Sequence, residues 1–120
     1  MKAYTAKAKK ALDMAARLSK SMHHNYVGTE HILAGLLKEG QGAAAEVLFA
    51  NHVRLDQLLN LIEDLISPGG ETVLLERDGY TPRTEQVLLR AADEAERFRS
   101  DEIGTEHILI AILKEGDCAA

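Results

Sequence analysis

The chain has 120 residues, 46% hydrophobic and 28% charged, which suits one compact domain with a modest core and not a disordered segment. A formal net charge of −5 argues against a nucleic-acid face, which is ordinarily basic, and the absence of Trp with only three Tyr and two Phe leaves little for base stacking. The single cysteine, Cys118, excludes an internal disulfide and a Cys-rich zinc cage; no apolar run approaches the ~20 residues that span a bilayer, so a cytoplasmic protein is expected.

Thr5 is placed to cap a first helix running to about Met22, with Ala8, Ala11, Leu12, Ala15, Leu18, Ser19 and Met22 on one stripe. His23-His24-Asn25-Tyr26 reads as a connector. Gly28-Thr29 opens a second helix, with Thr29 expected as N-cap and Glu30 in the first turn, where unpaired N–H groups favour a negative charge. Ile32, Leu33, Leu36 and Leu37 are expected to face inward, and Gly40 to close the helix. A third helix covers about Ala43–Ala50, and Asn51-His52 breaks it. A fourth runs from about Leu55 to Ile66, with Leu55, Leu58, Leu59, Ile62, Leu65 and Ile66 as its buried face.

Ser67-Pro68-Gly69-Gly70 is the clearest boundary, opening a linker over 67–80 in which Val73-Leu74-Leu75 is expected to be extended and to pack across two units. Thr81-Pro82 restarts the pattern, threonine as N-cap and proline at the first helical position. Val87, Leu88, Ala91, Ala92, Ala95 and Phe98 repeat the first stripe, and a sixth helix is expected from Thr105 to about Glu115. This repetition is literal. Gly28-Thr29-Glu30-His31-Ile32-Leu33 returns 76 residues later as Gly104-Thr105-Glu106-His107-Ile108-Leu109, and 12 of 18 positions agree between Val27–Ala44 and Ile103–Ala120. The same offset pairs Tyr4-Thr5 with Tyr80-Thr81. A fixed offset held this long marks an internal duplication. Residues 1–66 form a first unit and 81–120 a second, incomplete one, lacking counterparts of the third and fourth helices. A fragment of a longer protein is therefore expected, with exposed apolar surface that promotes self-association.

Little here suggests catalysis. There is no Gly-x-x-x-x-Gly-Lys-Ser/Thr phosphate loop and no His-Glu-x-x-His element, and adjacent His23 and His24 cannot share a helical face. His31 and His107 recur with the motif and read better as packed histidines hydrogen-bonded between helices than as metal ligands. Cys118 lacks a base nearby. No catalytic or metal residue is expected.

The duplicated unit, the Gly-Thr-Glu-His-Ile-Leu element followed by Leu-Lys-Glu-Gly, and the Tyr-Thr-Pro restart resemble the Clp N-terminal repeat domain that precedes the ATPase rings of AAA+ unfoldases. The likeness is strongest to the ClpC branch, partner of the ClpP protease. It implies an all-α fold of two four-helix repeats related by a pseudo-twofold axis, the second truncated here. It also implies a domain that binds substrates and adaptor proteins, with ATP and Mg2+ confined to missing ATPase domains and no cofactor in this one. ClpC-type domains recognise phosphoarginine as a degradation mark at one site per repeat, and the matching positions are Thr5, Glu30, Thr81 and Glu106. The chemistry is reasonable: a carboxylate pairs with a guanidinium in bidentate fashion, while a helix N-terminus with a threonine hydroxyl offers donors to a phosphoryl group. Packing of the first and second helices is expected to bring the two halves together, and Lys7 and Arg83 to support the phosphate. Taken singly, a threonine at a helix start is usually only a cap and a glutamate in a first turn usually answers the helix dipole.

Two other functions fit the same residues: a structural module regulating assembly of the ATPase ring, and a stand-alone Clp-repeat binding protein. Neither nucleic acid nor membrane is an expected partner.

Overall fold

The structure, a computed structural model, describes residues 2–65 and 79–115; Val73-Leu74-Leu75, Ile66 and Cys118 lie outside the described residues. The described helices are α1 (Ala6–Ser21), α2 (Thr29–Glu39), α3 (Ala43–Ala50), α4 (Leu55–Leu65), α5 (Pro82–Arg97) and α6 (Thr105–Lys114). Thr5 and Thr81 cap α1 and α5 as their sequence positions predict, the hydroxyls accepting from the N–H groups of Ala8 and Thr84. Gly40 closes α2 in the left-handed region at φ 78°. One expectation fails. The N-cap of α2 is Gly28, and Thr29 is the first residue inside the helix, buried at 3% exposure.

The equivalent threonine of the second repeat has a different task. Thr105, the counterpart of Thr29, turns its hydroxyl away from its own helix and accepts the Ala44 N–H at 3.2 Å. It thereby satisfies an orphan donor at the start of α3, where Gly42 has no side chain to offer. Glu39 completes this cap, its Oε1 accepting from the N–H groups of Gln41 (3.1 Å) and Gly42 (2.8 Å).

α1 and α5 end alike, as does α3. In each, the residue after the C-cap is left-handed without being glycine: His23 (φ 63°), Arg99 (φ 57°) and His52 (φ 64°). The N–H that follows reaches back six residues' span to the helix, His24 to Ser19, Ser100 to Ala95 and Val53 to Leu48, which closes the last turn.

α1 and α2 pack as an antiparallel pair, as do α5 and α6, around one core that includes Ala8, Ala11, Ala15, Ile32, Leu36, Val87, Ala91, Ile103 and Ile108. Gly35 lets α2 approach the α1 backbone: a Cβ there would meet the Ala11 carbonyl oxygen, with Ala15 N at 2.9 Å and Ala15 Cβ at 3.0 Å. Two stripe assignments need correction. Phe98 is 58% exposed, because it sits at the α5 C-cap where the chain turns away; its ring stacks on His107 instead. On α4, Ile62 is fully buried while Leu55, Leu58 and Leu59 are only partly so, since α4 packs on the rest through α2. On α6, Leu113 is 71% exposed although its counterpart Leu37 is buried, because no described element covers it as α4 covers the α2 face.

The two repeats are joined by backbone. Tyr4 bridges Ile103 and Val27 bridges Tyr80, both in parallel sense. Adding 76 to residue 4 gives 80, and subtracting 76 from 103 gives 27, so the offset exchanges the two bridges. Contacts that swap in this way are isologous, and the relation between repeats is a pseudo-twofold axis.

Candidate functional site

These bridges decide which candidate residues become neighbours. Thr5 donates its N–H to Ile103 O at 2.9 Å, and Ile103 donates to Ala3 O at 2.8 Å. The α1 start therefore lies beside the α6 start, and Thr5 beside Glu106. On the other side Thr81 donates to Val27 O and Val27 to Gly79 O, both at 3.1 Å, setting Thr81 beside Glu30. Each threonine-capped helix start is thus bonded to the segment that opens the other repeat's glutamate-bearing helix, so each candidate pocket draws on both repeats, and the expectation that α1 and α2 bring a threonine and glutamate of one copy together is corrected. Tyr4 and Tyr80 are half-buried next to the bridges; burial pushes both phenols up, and Tyr80 adds to the rise at Tyr4.

The Gly-Thr-Glu-His element is now readable residue by residue. Glycine caps the helix with an extended backbone (Gly28 φ −96°, Gly104 φ −94°). Its missing side chain makes room for the glutamate, whose carboxylate folds back over it: a Cβ on Gly28 would stand 2.5 Å from Glu30 Oε1, and Gly104 would clash with Glu106 in the same way. Threonine is buried in both copies, and at Thr105 it reaches across to α3. Histidine accepts the glycine N–H on Nδ1, at 2.9 Å for His31 and 2.8 Å for His107. The histidines are accordingly buried caps of their own helices, and not links between helices as the sequence suggests. With Nδ1 an acceptor, each neutral ring carries its proton on Nε2. Burial first, then the neighbouring His24, lowers His31 to about 4, so it is uncharged at neutral pH.

The two threonine-capped helix starts differ. At α1 the N–H groups of Ala6 and Lys7 take no acceptor among the described residues, and the first turn carries Lys7 and no acid. Lys7 itself reaches the Gln41 carbonyl at 3.4 Å. At α5, Pro82 removes one donor, Glu85 adds an acid, and the Thr81 hydroxyl is shared with buried Thr84 at 2.8 Å. The difference is reversed on the carboxylate side. Glu106 is exposed, whereas Glu30 is half-buried and receives a long contact, 3.5 Å, from the Tyr26 hydroxyl. Burial, then the Glu30 charge, pushes the Tyr26 phenol up to about 12, so it remains a donor.

Sequence reasoning passed over Tyr26, His24, Thr84 and the two cap glycines. The signal for Tyr26 and His24 was present as departures from the repeat, since the offset places Glu102 and Ser100 at those positions.

Chemically, each pocket sets helix N-terminal donors and a threonine hydroxyl against a carboxylate. That arrangement accepts a ligand bearing an anion and a cation close together. No described helix is long and apolar enough to cross a membrane.

Comparison with known proteins agrees with this architecture. The chain is 38% identical over 117 residues to the negative regulator of genetic competence ClpC/MecB of Bacillus subtilis, covering 98% of this chain and 14% of that protein. It therefore spans about one-seventh of the relative's length. Among solved structures, the N-domain of ClpV from Vibrio cholerae superposes with TM-score 0.76 at 25% identity, over 95% of this chain and 68% of that one. A complex of the ClpV N-domain with a VipB peptide gives TM-score 0.77 at 24% identity, over 98% and 72% of the two chains. A sequence profile of the Clp repeat (R) N-terminal domain matches residues 3–120, and the chain belongs to that family.

Proposed function

We propose that this chain is the substrate- and adaptor-docking domain of a ClpC-type ATP-dependent unfoldase, and that it reads phosphoarginine at two pockets, Thr5 with Glu106 and Thr81 with Glu30. The observation carrying this reading is that each threonine-capped helix start stands beside a glutamate held back over a glycine. Phosphoarginine presents a phosphoryl anion and a guanidinium separated by a single bond, so one molecule can meet both halves. The guanidinium pairs with the carboxylate and the phosphoryl group takes the free N–H groups, most readily those of Ala6 and Lys7. A ClpC relative from Staphylococcus epidermidis, named as the ATP-binding subunit of an ATP-dependent Clp protease, supports a place beside an ATPase, and the ClpV–VipB complex supports peptide docking on this fold.

Calorimetric titration tests the reading, with arginine and phosphate as controls. Binding at two sites, seen only with phosphoarginine and lost in Glu30→Ala plus Glu106→Ala, is the expected result. A folded chain that gives no heat with phosphoarginine overturns mark recognition and leaves adaptor docking as its function.

A further inference from the structure

We propose that His24, acting through His31 and Tyr26, is a positioning residue that makes the Glu30 pocket pH-gated, open to a cationic group at neutral pH and closed in mild acid, while the Glu106 pocket is not gated. The site concerned is the one assigned above, and this inference rests on that reading for its ligand.

Proton positions around His31 are fixed by its partners. Its Nδ1 accepts the Gly28 N–H, so its Nε2–H donates to His24 Nδ1 at 2.8 Å, and neutral His24 carries its own proton on Nε2. A protonated His24 has N–H on both ring nitrogens. Its Nδ1–H would then face the His31 Nε2–H, two donors at hydrogen-bond distance with no acceptor between them. One way out is for His31 to move its proton to Nδ1, which breaks the cap on the helix that carries Glu30. The other is for His24 to leave. Leaving removes the ring stacked on Tyr26 (centroids 5.5 Å apart, planes at 13°), and Tyr26 is the residue that donates to Glu30.

The freed imidazolium has acids to go to. The charged groups acting on His24 are Glu30 of α2 and Glu63 of α4, both favouring its protonation, and His23, which opposes it. A His24 cation drawn to Glu30 occupies the charge that a guanidinium would use. Burial outweighs these carboxylates and keeps His24 below its ordinary value, so the gate closes only below about pH 6.5. His31 protonates later, at about 4.

The second repeat lacks these parts. Ser100 stands where His24 does, its hydroxyl 3.4 Å from His107 Nε2, and a hydroxyl serves as donor or acceptor without changing charge. Glu102 replaces Tyr26, so no phenol ties the cluster to Glu106.

The first arm of the test needs no ligand. In an NMR titration from pH 7.5 to 5.5, the amides of Gly28, Glu30 and His31 and the Glu30 carboxyl carbon should shift with the midpoint of the His24 ring, and cease to do so in His24→Ser. The Glu106 carboxyl carbon should be indifferent to His24→Ser. His24 titrating without any response at Glu30, or an equal effect of His24→Ser at Glu106, would overturn the proposal. The second arm uses phosphoarginine on single-pocket variants. Glu106→Ala, which keeps the Glu30 pocket, should lose more affinity between pH 7.5 and 6.0 than Glu30→Ala, by no more than about fourfold, since a His24 held below 6.5 is at most about three-quarters protonated at pH 6.0. Equal losses in the two variants refute gating. If neither variant binds, the phosphoarginine reading falls, and the shifts at Glu30 still decide whether His24 controls that carboxylate.

Discussion

Replacing Gly35 by alanine tests how the first repeat is packed. In an open helix the change would stabilise by about 1 kcal/mol, because glycine is the poorer helix former by that amount. Here the added methyl would stand 2.9 Å from Ala15 N and 3.0 Å from Ala15 Cβ, and closer still to the Ala11 carbonyl oxygen. All three atoms belong to α1 backbone or to a Cβ fixed to it, so no flexible side chain can move aside. α1 is also held from behind, since Thr5 is bonded to Ile103. Relief requires the two helices to separate, and overpacking of this kind costs about 1–3 kcal/mol. With contacts this short the cost lies near the top of that range, leaving a net loss of about 2 kcal/mol after the propensity gain. The offset places Ala111 at the equivalent position on α6, where a methyl is already accommodated. Ala111→Gly should therefore also destabilise, by about 1–2 kcal/mol, through lost propensity and a small void. Urea denaturation followed by circular dichroism measures both. A Gly35→Ala protein more stable than the parent would refute the close approach of α1 and α2.

Other outcomes follow from local features. Arg99→Gly and His23→Gly each relieve a left-handed non-glycine residue and should raise stability by about 0.5–1 kcal/mol, read as a rise in Tm; a fall in both would mean the side chains contribute more than the strain costs. Folded His31 binds its proton at about 4 against 6.5 when unfolded, so below pH 6.5 the unfolded chain holds more protons. Stability is then complete above 6.5 and declines by about 3 kcal/mol as pH falls to 4, and urea midpoints that stay flat over that window would contradict it. Thr105→Val strands the Ala44 N–H and should cost about 1–2 kcal/mol, with loss of amide-exchange protection concentrated at the start of α3; uniform loss across the domain would argue against a local cap. Gly28→Ala should weaken phosphoarginine binding at the Glu30 pocket by displacing the carboxylate and lower stability by about 0.5–1 kcal/mol as a poorer N-cap, and unaltered affinity would mean the glycine serves only the backbone.

The duplication made most of the fold legible. Helical stripes, cap threonines and the proline at the start of α5 are encoded locally, and the structure places them where local chemistry puts them. The docking of one repeat on the other is not local. Besides the shared core, it uses two backbone bridges at Tyr4 and Val27, which carry no side-chain signature, so the sequence offered four site residues without indicating how they pair. Thr29 was misread for a separate reason. A threonine before a helical stripe looks like a cap, but the glycine before it takes the cap because its N–H meets His31 Nδ1 and its missing side chain makes room for Glu30. His23, Arg99 and His52 escaped notice because a left-handed helix end ordinarily announces itself with glycine. The α4 face was overestimated because amphipathic spacing reports which side turns inward and not how much protein lies there to cover it.

The exchanged bridges have a bearing on how the two halves of this domain hold together. Each pocket draws its threonine from one repeat and its glutamate from the other, so a molecule seated in either spans the seam as a rivet would. Occupancy and cohesion become a single equilibrium: whatever tightens the seam raises affinity, and a ligand at one hundred times its dissociation constant would resist separation of the repeats by about 2.7 kcal/mol per site. A repeat taken alone would own half of each pocket.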